Sequence, residues 1–156
     1  MTGMATGERR AESRGLVISR EWLDGVTGEP LDPKKSLRAG QSVRVRLTLT
    51  SQRGTIPDVV ISDMFPACFE PEGSRINAFD IIGREIFSWR NPVRRTELRE
   101  DRAIIFLDAR NDGNRFEYPV RVVASGRFAV PPPQATAMYR PGITATGKSG
   151  FVTVEE

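Results

Sequence analysis

Any chemistry in this chain has to come from carboxylates, hydroxyls, arginines, two tyrosines and a single thiol, because its 156 residues include no histidine and one cysteine. Without imidazole there is no Ser-His-Asp or Cys-His nucleophile and no histidine-ligated zinc or haem. A lone cysteine excludes an intrachain disulfide, a cysteine-rich metal site and a CxxC redox pair. Cys68 would need an arginine or a helix N-terminus to activate it. An internal thioester would need glutamine three residues further on, where Pro71 stands. Cys68 therefore reads as a small packed residue in a turn. Asp58, Asp63, Glu70, Glu72, Asp101 and Asp108 could supply a carboxylate pair for acid–base work. Nothing in their spacing requires one, and they read as solvated or salt-bridged surface. The glycines match no phosphate loop or dinucleotide fingerprint. These residues point away from an enzyme and call for no cofactor or metal.

One segment stands out. Pro131-Pro132-Pro133 stiffens the approach to residues 134–139, which are expected to make a single helical turn that Pro141 stops. Such a loop would present Met138 and Tyr139 at one end of the domain. A plain strand connection with Tyr139 packed is the alternative, but an amphipathic aromatic on a stiff loop suits a contact element.

The elements that must position this loop read as short strands. The length suits one domain, which can bury roughly two thirds of its unfolded surface. Residues 1–14 hold almost nothing apolar and read as a disordered leader or linker, leaving residues 15–156 as the domain. Residues 16–22 make a first strand. In residues 43–49, Val43, Val45, Leu47 and Leu49 share one face, with Arg44, Arg46 and Thr48 on the other. That period of two means a half-buried strand. Residues 59–64 make a more apolar one. Residues 102–109 and 116–124 flank Asn111-Asp112-Gly113-Asn114, which predicts a hairpin. Pro119 has no N–H to donate, so an edge or a bulge is expected there. Further strands follow at 127–130 and 151–154, whereas residues 79–95 follow no placeable period. About seven short strands without a long helix predict an all-β fold, an antiparallel β-sandwich of the Ig/fibronectin-III kind.

Lys and Arg total 23 against 20 acids, a net charge of +3, and only Lys34, Lys35 and Lys148 are lysines. The cations alternate with acids, as in Glu97-Leu98-Arg99-Glu100-Asp101-Arg102, instead of forming the stripe expected of a nucleic-acid binder. No nucleic-acid partner is expected. The first 15 residues lack the apolar core of a signal peptide, and no run approaches the ~20 apolar residues that span a bilayer. No direct membrane insertion is expected either.

Four stretches carry a family resemblance: Gly15-Leu16-Val17-Ile18-Ser19-Arg20-Glu21-Trp22-Leu23-Asp24; Leu37-Arg38-Ala39-Gly40-Gln41-Ser42-Val43-Arg44-Val45-Arg46-Leu47-Thr48; Asp63-Met64-Phe65-Pro66-Ala67-Cys68-Phe69-Glu70; and Arg99-Glu100-Asp101-Arg102 through Tyr118 and Gly126-Arg127-Phe128 to Met138-Tyr139-Arg140-Pro141. Over roughly residues 15–155 the sequence resembles the last macroglobulin-like domain of the bacterial α2-macroglobulins. The resemblance implies a macroglobulin-like sandwich at the C-terminus of a large periplasmic, envelope-associated protease inhibitor. In that family a protease cuts a bait segment, the molecule rearranges, and in many members a thioester in another domain captures the attacker. The implied partners are the thioester domain of the parent chain and, through the parent, host or competitor proteases. Carried over, the Met-Tyr-x-Pro motif makes Tyr139 the residue that covers the thioester, with Met138 and Pro141 shaping its loop. Two other classes stand beside this one: a generic Ig-like spacer or adhesion module of a bacterial envelope protein, and a small Arg-rich nucleic-acid binder.

Overall fold

Alternation of apolar residues builds the central strands. Val43, Val45, Leu47 and Leu49 are all buried, as are Ala103, Ile105, Leu107 and Ala109 on a second strand of the same period. The computed structural model describes residues 10–80 and 93–156. Within them run fourteen strands: β1 (Glu12–Arg14), β2 (Leu16–Asp24), β3 (Leu37–Arg38), β4 (Ser42–Ser51), β5 (Ile56–Met64), β6 (Phe69–Pro71), β7 (Asn77–Asp80), β8 (Val93–Leu98), β9 (Arg102–Ala109), β10 (Asn114–Val122), β11 (Gly126–Val130), β12 (Gln134–Ala137), β13 (Thr144–Thr146) and β14 (Gly150–Glu155). A six-stranded sheet runs β1-β13-β12-β5-β9-β8, and a five-stranded one runs β2-β4-β10-β6 with β7 also on β10. Their inner faces share one apolar core that includes Ile61, Ile105, Leu107, Leu47, Phe116 and Tyr118. A small third sheet, β11-β14-β3, contains the parallel pair β14–β3; the two larger sheets are antiparallel.

The all-β antiparallel sandwich is as expected, but the strand count is about double. The strands without a sequence signal (β1, β3, β6, β7, β8 and β13) run from two to six residues, too short for a period to declare itself. Part of the expected leader also belongs to the sheet, since Glu12–Arg14 pairs with β13 in the register Glu12 to Thr146. Its side chains are all exposed, so only backbone pairing holds it and composition carried no trace of it. Residues 1–9 of that leader, and residues 81–92 of the unplaced stretch, lie outside the described residues.

Two local expectations are corrected. Asn111-Asp112-Gly113-Asn114 does turn the chain, with Gly113 at a φ of 88°, but β9 and β10 are no hairpin: β9 pairs with β5 and β8, and β10 with β4, β6 and β7. The turn residues permit reversal, while burial of two fully apolar faces sends the strands to opposite sheets. Residues 134–137 form strand β12 between β5 and β13 instead of a helical turn. Ala135 and Ala137 alternate inward, and two flanking ladders outweigh the intrinsic helical preference of alanine, as tertiary context routinely does.

Pro119 lies on an interior strand, not at an edge. β6 ends at Pro71 opposite Val120 and β7 begins at Asn77 opposite Glu117, so Pro119 falls in the gap between them. Its carbonyl accepts from the Glu72 amide on that side (2.9 Å). An extended residue points its amide and carbonyl the same way, so the absent N–H faces the gap and removes no ladder bond.

Candidate functional site

The loop singled out in the sequence joins β12 to β13 at one end of the six-stranded sheet. Tyr139 is 78% exposed and Met138 43%, and Pro141 is also exposed. Backbone bonds close the loop: Ala137 N–H to Ile143 O at 3.0 Å, Arg140 N–H to Ala137 O at 3.4 Å and Ile143 N–H to Arg140 O at 3.2 Å. Gly142, with a φ of 92°, supplies the left-handed residue that lets so short a loop return. The three prolines do not stiffen it directly. They sit at the far end of β12, where Gly147 N–H donates to Pro133 O (2.8 Å) and the ring leaves no room for a side chain at Gly147: a Cβ there would lie 2.6 Å from Pro133 Cγ.

What holds the loop instead is strand β5. One step beyond the last register pair, Ala137 with Val59, Met138 N–H donates to the Asp58 carbonyl at 2.9 Å. Asp58 sits at a φ of 55°, and it is the one non-glycine residue at positive φ among the described residues. It lies in a bulge: Ile56 pairs with Ala109 and Val59 with Leu107, so Pro57 and Asp58 oppose Asp108 alone. The Asp108 carboxylate fills the gap in the ladder, accepting from Asp58 N–H through Oδ1 (3.1 Å) and from Arg94 Nη2 through Oδ2 (2.7 Å). β8 is irregular at the same level, Val93 pairing with Leu107 and Arg95 with Phe106, which leaves Arg94 as the extra residue. Arg95 stacks over Phe106, 4.4 Å from the ring centroid. Together Asp58, Arg94, Arg95, Phe106, Leu107 and Met138 line an open cleft of about 260 Å³ beneath the tyrosine loop.

Of the other candidate carboxylates, Glu70 is exposed, and Glu72 and Asp101 are engaged elsewhere. Glu72 accepts from Ser42 Oγ (3.1 Å) and pairs with Arg121, and Asp101 pairs with Arg102 at 3.0 Å. On the outer face of the five-stranded sheet, Glu117 binds Arg46 Nε at 3.1 Å and Arg44 at 3.7 Å, and Arg46 also reaches Glu21 at 3.0 Å. Among the described residues no group of His, Cys, Asp and Glu is arranged to hold a metal ion, and no helix is long and apolar enough to cross a membrane. Cys68 is fully buried, its carbonyl accepting from Val123 N–H at 2.8 Å. Burial pushes the thiol up to about 11, so it stays protonated at neutral pH and is a poor nucleophile.

Sequence reasoning missed a buried polar triad. Asp63 on β5 is 1% exposed, binds Arg20 Nη1 of β2 at 2.5 Å and accepts from the Tyr118 hydroxyl of β10. The group ties the two large sheets together across the core. Burial raises the Asp63 carboxyl above its usual range, against the opposing pull of Arg20 and Tyr118. Burial first, then the Asp63 carboxylate, holds the Tyr118 phenol well above 10.0. A signal existed: Leu16-Ile18-Arg20 and Val59-Ile61-Asp63 are period-two series, so strand parity alone turns one cation and one anion inward.

Comparison with other proteins identifies the lineage. The family model described as the bacterial alpha-2-macroglobulin MG10 domain matches residues 15–142. An alpha-2-macroglobulin of Pasteurella multocida is 31% identical over 144 residues, 90% of this chain and 7% of that protein. A tyrosine-to-glycine mutant of Salmonella alpha-2-macroglobulin superposes with a TM-score of 0.80 at 27% identity, covering 97% of this chain and 10% of that one. Salmonella alpha-2-macroglobulin reacted with methylamine matches at 26% identity and a TM-score of 0.80 over the same shares. The chain thus spans less than a tenth of the length of the curated relative. On the family match, the relatives and the sandwich itself, the chain belongs to the MG10 domain family of the bacterial α2-macroglobulins.

Proposed function

We propose that this chain is a non-catalytic domain, the last, of a larger periplasmic α2-macroglobulin-type protease inhibitor. In that parent it packs on the thioester domain and its Tyr139 loop shields the thioester. The observation that carries the reading is a tyrosine 78% exposed on a loop whose backbone is tied to the sheet one residue earlier, at Met138. An aromatic ring left in water on a held support suits a neighbouring surface, where the face buries and the phenol tip still bonds. Met138 and Pro141 shape the loop. The domain acts by contact, and any protease is met through the parent.

The test uses a thioester-bearing parent without protease. Tyr139→Ala should let water and small amines such as methylamine reach the thioester, so free thiol appears faster than in wild type. Equal rates in the two proteins would remove the shielding role and leave the Ig-like spacer reading in its place.

A further inference from the structure

The geometry points to Asp108 as the positioning residue of the Tyr139 loop: its carboxylate fixes the left-handed bulge at Asp58, whose carbonyl in turn holds Met138. This rests on the contact role proposed for Tyr139 and adds to it the part of the molecule that sets where the ring stands.

The reasoning begins with the two irregularities. A bulge inserts residues that have no ladder partner, bends its strand and re-aims what it carries. Here two fall at one level on either side of β9, Pro57 and Asp58 on β5 and Arg94 on β8. A non-glycine residue at a φ of 55° is uncommon, and aspartate is among the types that tolerate it best. The Pro57 ring costs no bond in a bulge, since it has no N–H to pair. Asp58 N–H, which a regular strand would give to a backbone carbonyl, goes to Asp108 Oδ1 at 3.1 Å. The second oxygen of that carboxylate takes Arg94 Nη2 at 2.7 Å.

On its other side the Asp58 carbonyl receives Met138 N–H at 2.9 Å, one residue before Tyr139. Three strands thus converge through one carboxylate and one residue, Asp58, on the first residue of the loop. Among the described residues the Asp108 carboxylate bonds to Asp58 and Arg94 and not to Met138 or Tyr139, so it acts through Asp58. Without it, Asp58 N–H is unpaired and the left-handed conformation loses its fixing partner. Val59, the next residue on β5, keeps its pairing with both β9 and β12. The loop then shifts while the sandwich stays.

The experiment measures amide hydrogen exchange residue by residue on this chain. Asp108→Ala should speed exchange at Met138 about tenfold, the loss of roughly one hydrogen bond, while Ala137 and the core strands keep wild-type rates. Asp108→Asn retains an oxygen for Asp58 N–H and should restore Met138 to within about threefold of wild type. If Asp108→Ala fails to fold, Arg94→Ala removes one arm of the carboxylate and should still speed Met138 about threefold. Met138 exchange unchanged in the folded variants, or all amides accelerated alike, overturns the positioning role. A second arm measures thiol release from a thioester-bearing parent. Asp108→Ala should leak faster than wild type, and the Asp108→Ala, Tyr139→Ala double variant should leak no faster than Tyr139→Ala. Leakage from Tyr139→Ala with none from Asp108→Ala overturns the positioning role. No leakage from Tyr139→Ala overturns the shielding role instead, while the exchange rates still decide whether Asp108 holds the loop.

Discussion

Two arginine–aspartate groups anchor this domain, and their surroundings give them opposite tasks. In the interior, Arg20 and Asp63 have side chains 9% and 1% exposed and bridge the two sheets with Tyr118. At the tyrosine end, Arg94 and Asp108 are 64% and 19% exposed and brace a bulge beside a loop. Charge in the interior cannot be rehydrated without opening the fold, so loss of one partner strands the others. Water screens and replaces the outer pair, whose worth lies in geometry more than in energy. The same side-chain chemistry therefore secures the fold in one place and braces a bulge beside the Tyr139 loop in the other.

The strongest way to break that contrast is at Asp63. Asp63→Ala leaves the Arg20 guanidinium and the Tyr118 hydroxyl without their shared acceptor, and should cost about 4 kcal/mol in chemical denaturation. Replacing Arg20 by Met, Asp63 by Leu and Tyr118 by Phe together should recover most of that loss, because no charge or unpaired polar group then remains at that site. A cost under about 1 kcal/mol for Asp63→Ala would place the interior group in the same class as the outer one.

A middle-sized effect lies in alkali and belongs to the interior alone. The Cys68 thiol rises from 9.0 to about 11 in the fold, and the Tyr118 phenol is held well above 10.0. In both cases the unfolded chain gives up its proton first. The stability each contributes is therefore complete below its unfolded value and falls as pH climbs toward the folded one. Melting curves should show a decline that begins near pH 9 and steepens beyond pH 10. Cys68→Ala should remove the first part, worth on the order of 2 kcal/mol, and Tyr118→Phe the second. A flat profile to pH 11 in wild type would mean that the fold holds neither proton more tightly than the unfolded chain does.

The smallest effect is expected at the loop tip. Tyr139→Ala removes a ring that is 78% exposed, so the chain should lose no more than about 0.5 kcal/mol. A loss of 2 kcal/mol or more would make the ring part of the packing and end its contrast with the interior tyrosine.

Much of this fold was legible from residues 43–49 and 102–109, because a strand buried on one face must alternate and each of these is long enough to show it. The Met138–Tyr139 loop was legible as an oddity, an aromatic between Ala137 and Pro141 that no strand pattern absorbs. Its support was not. Pro57-Asp58 is an ordinary turn signal in front of an apolar run, and Asp108 is one polar residue near the end of another. Neither says that the two face each other across a ladder.

The sequence by itself determined the class: short amphipathic strands, no histidine, one thiol and a mixed-sign surface leave a β-sandwich without the usual means of catalysis. Strand parity also carried the inward turn of Arg20 and Asp63, although the reading of Asp63 as surface missed it and the structure corrects it: Asp63 is 1% exposed. Only the tertiary structure decided which strands share a sheet, since Asn111-Asp112-Gly113-Asn114 is compatible with a hairpin and with the passage between sheets that it makes. Only the tertiary structure decided that Asp108 meets the Asp58 amide. The reason is one of range: parity and turn chemistry are set by neighbours in the chain, whereas the pairing of β5 with β9, some fifty residues apart, is chosen by burying both apolar faces at once.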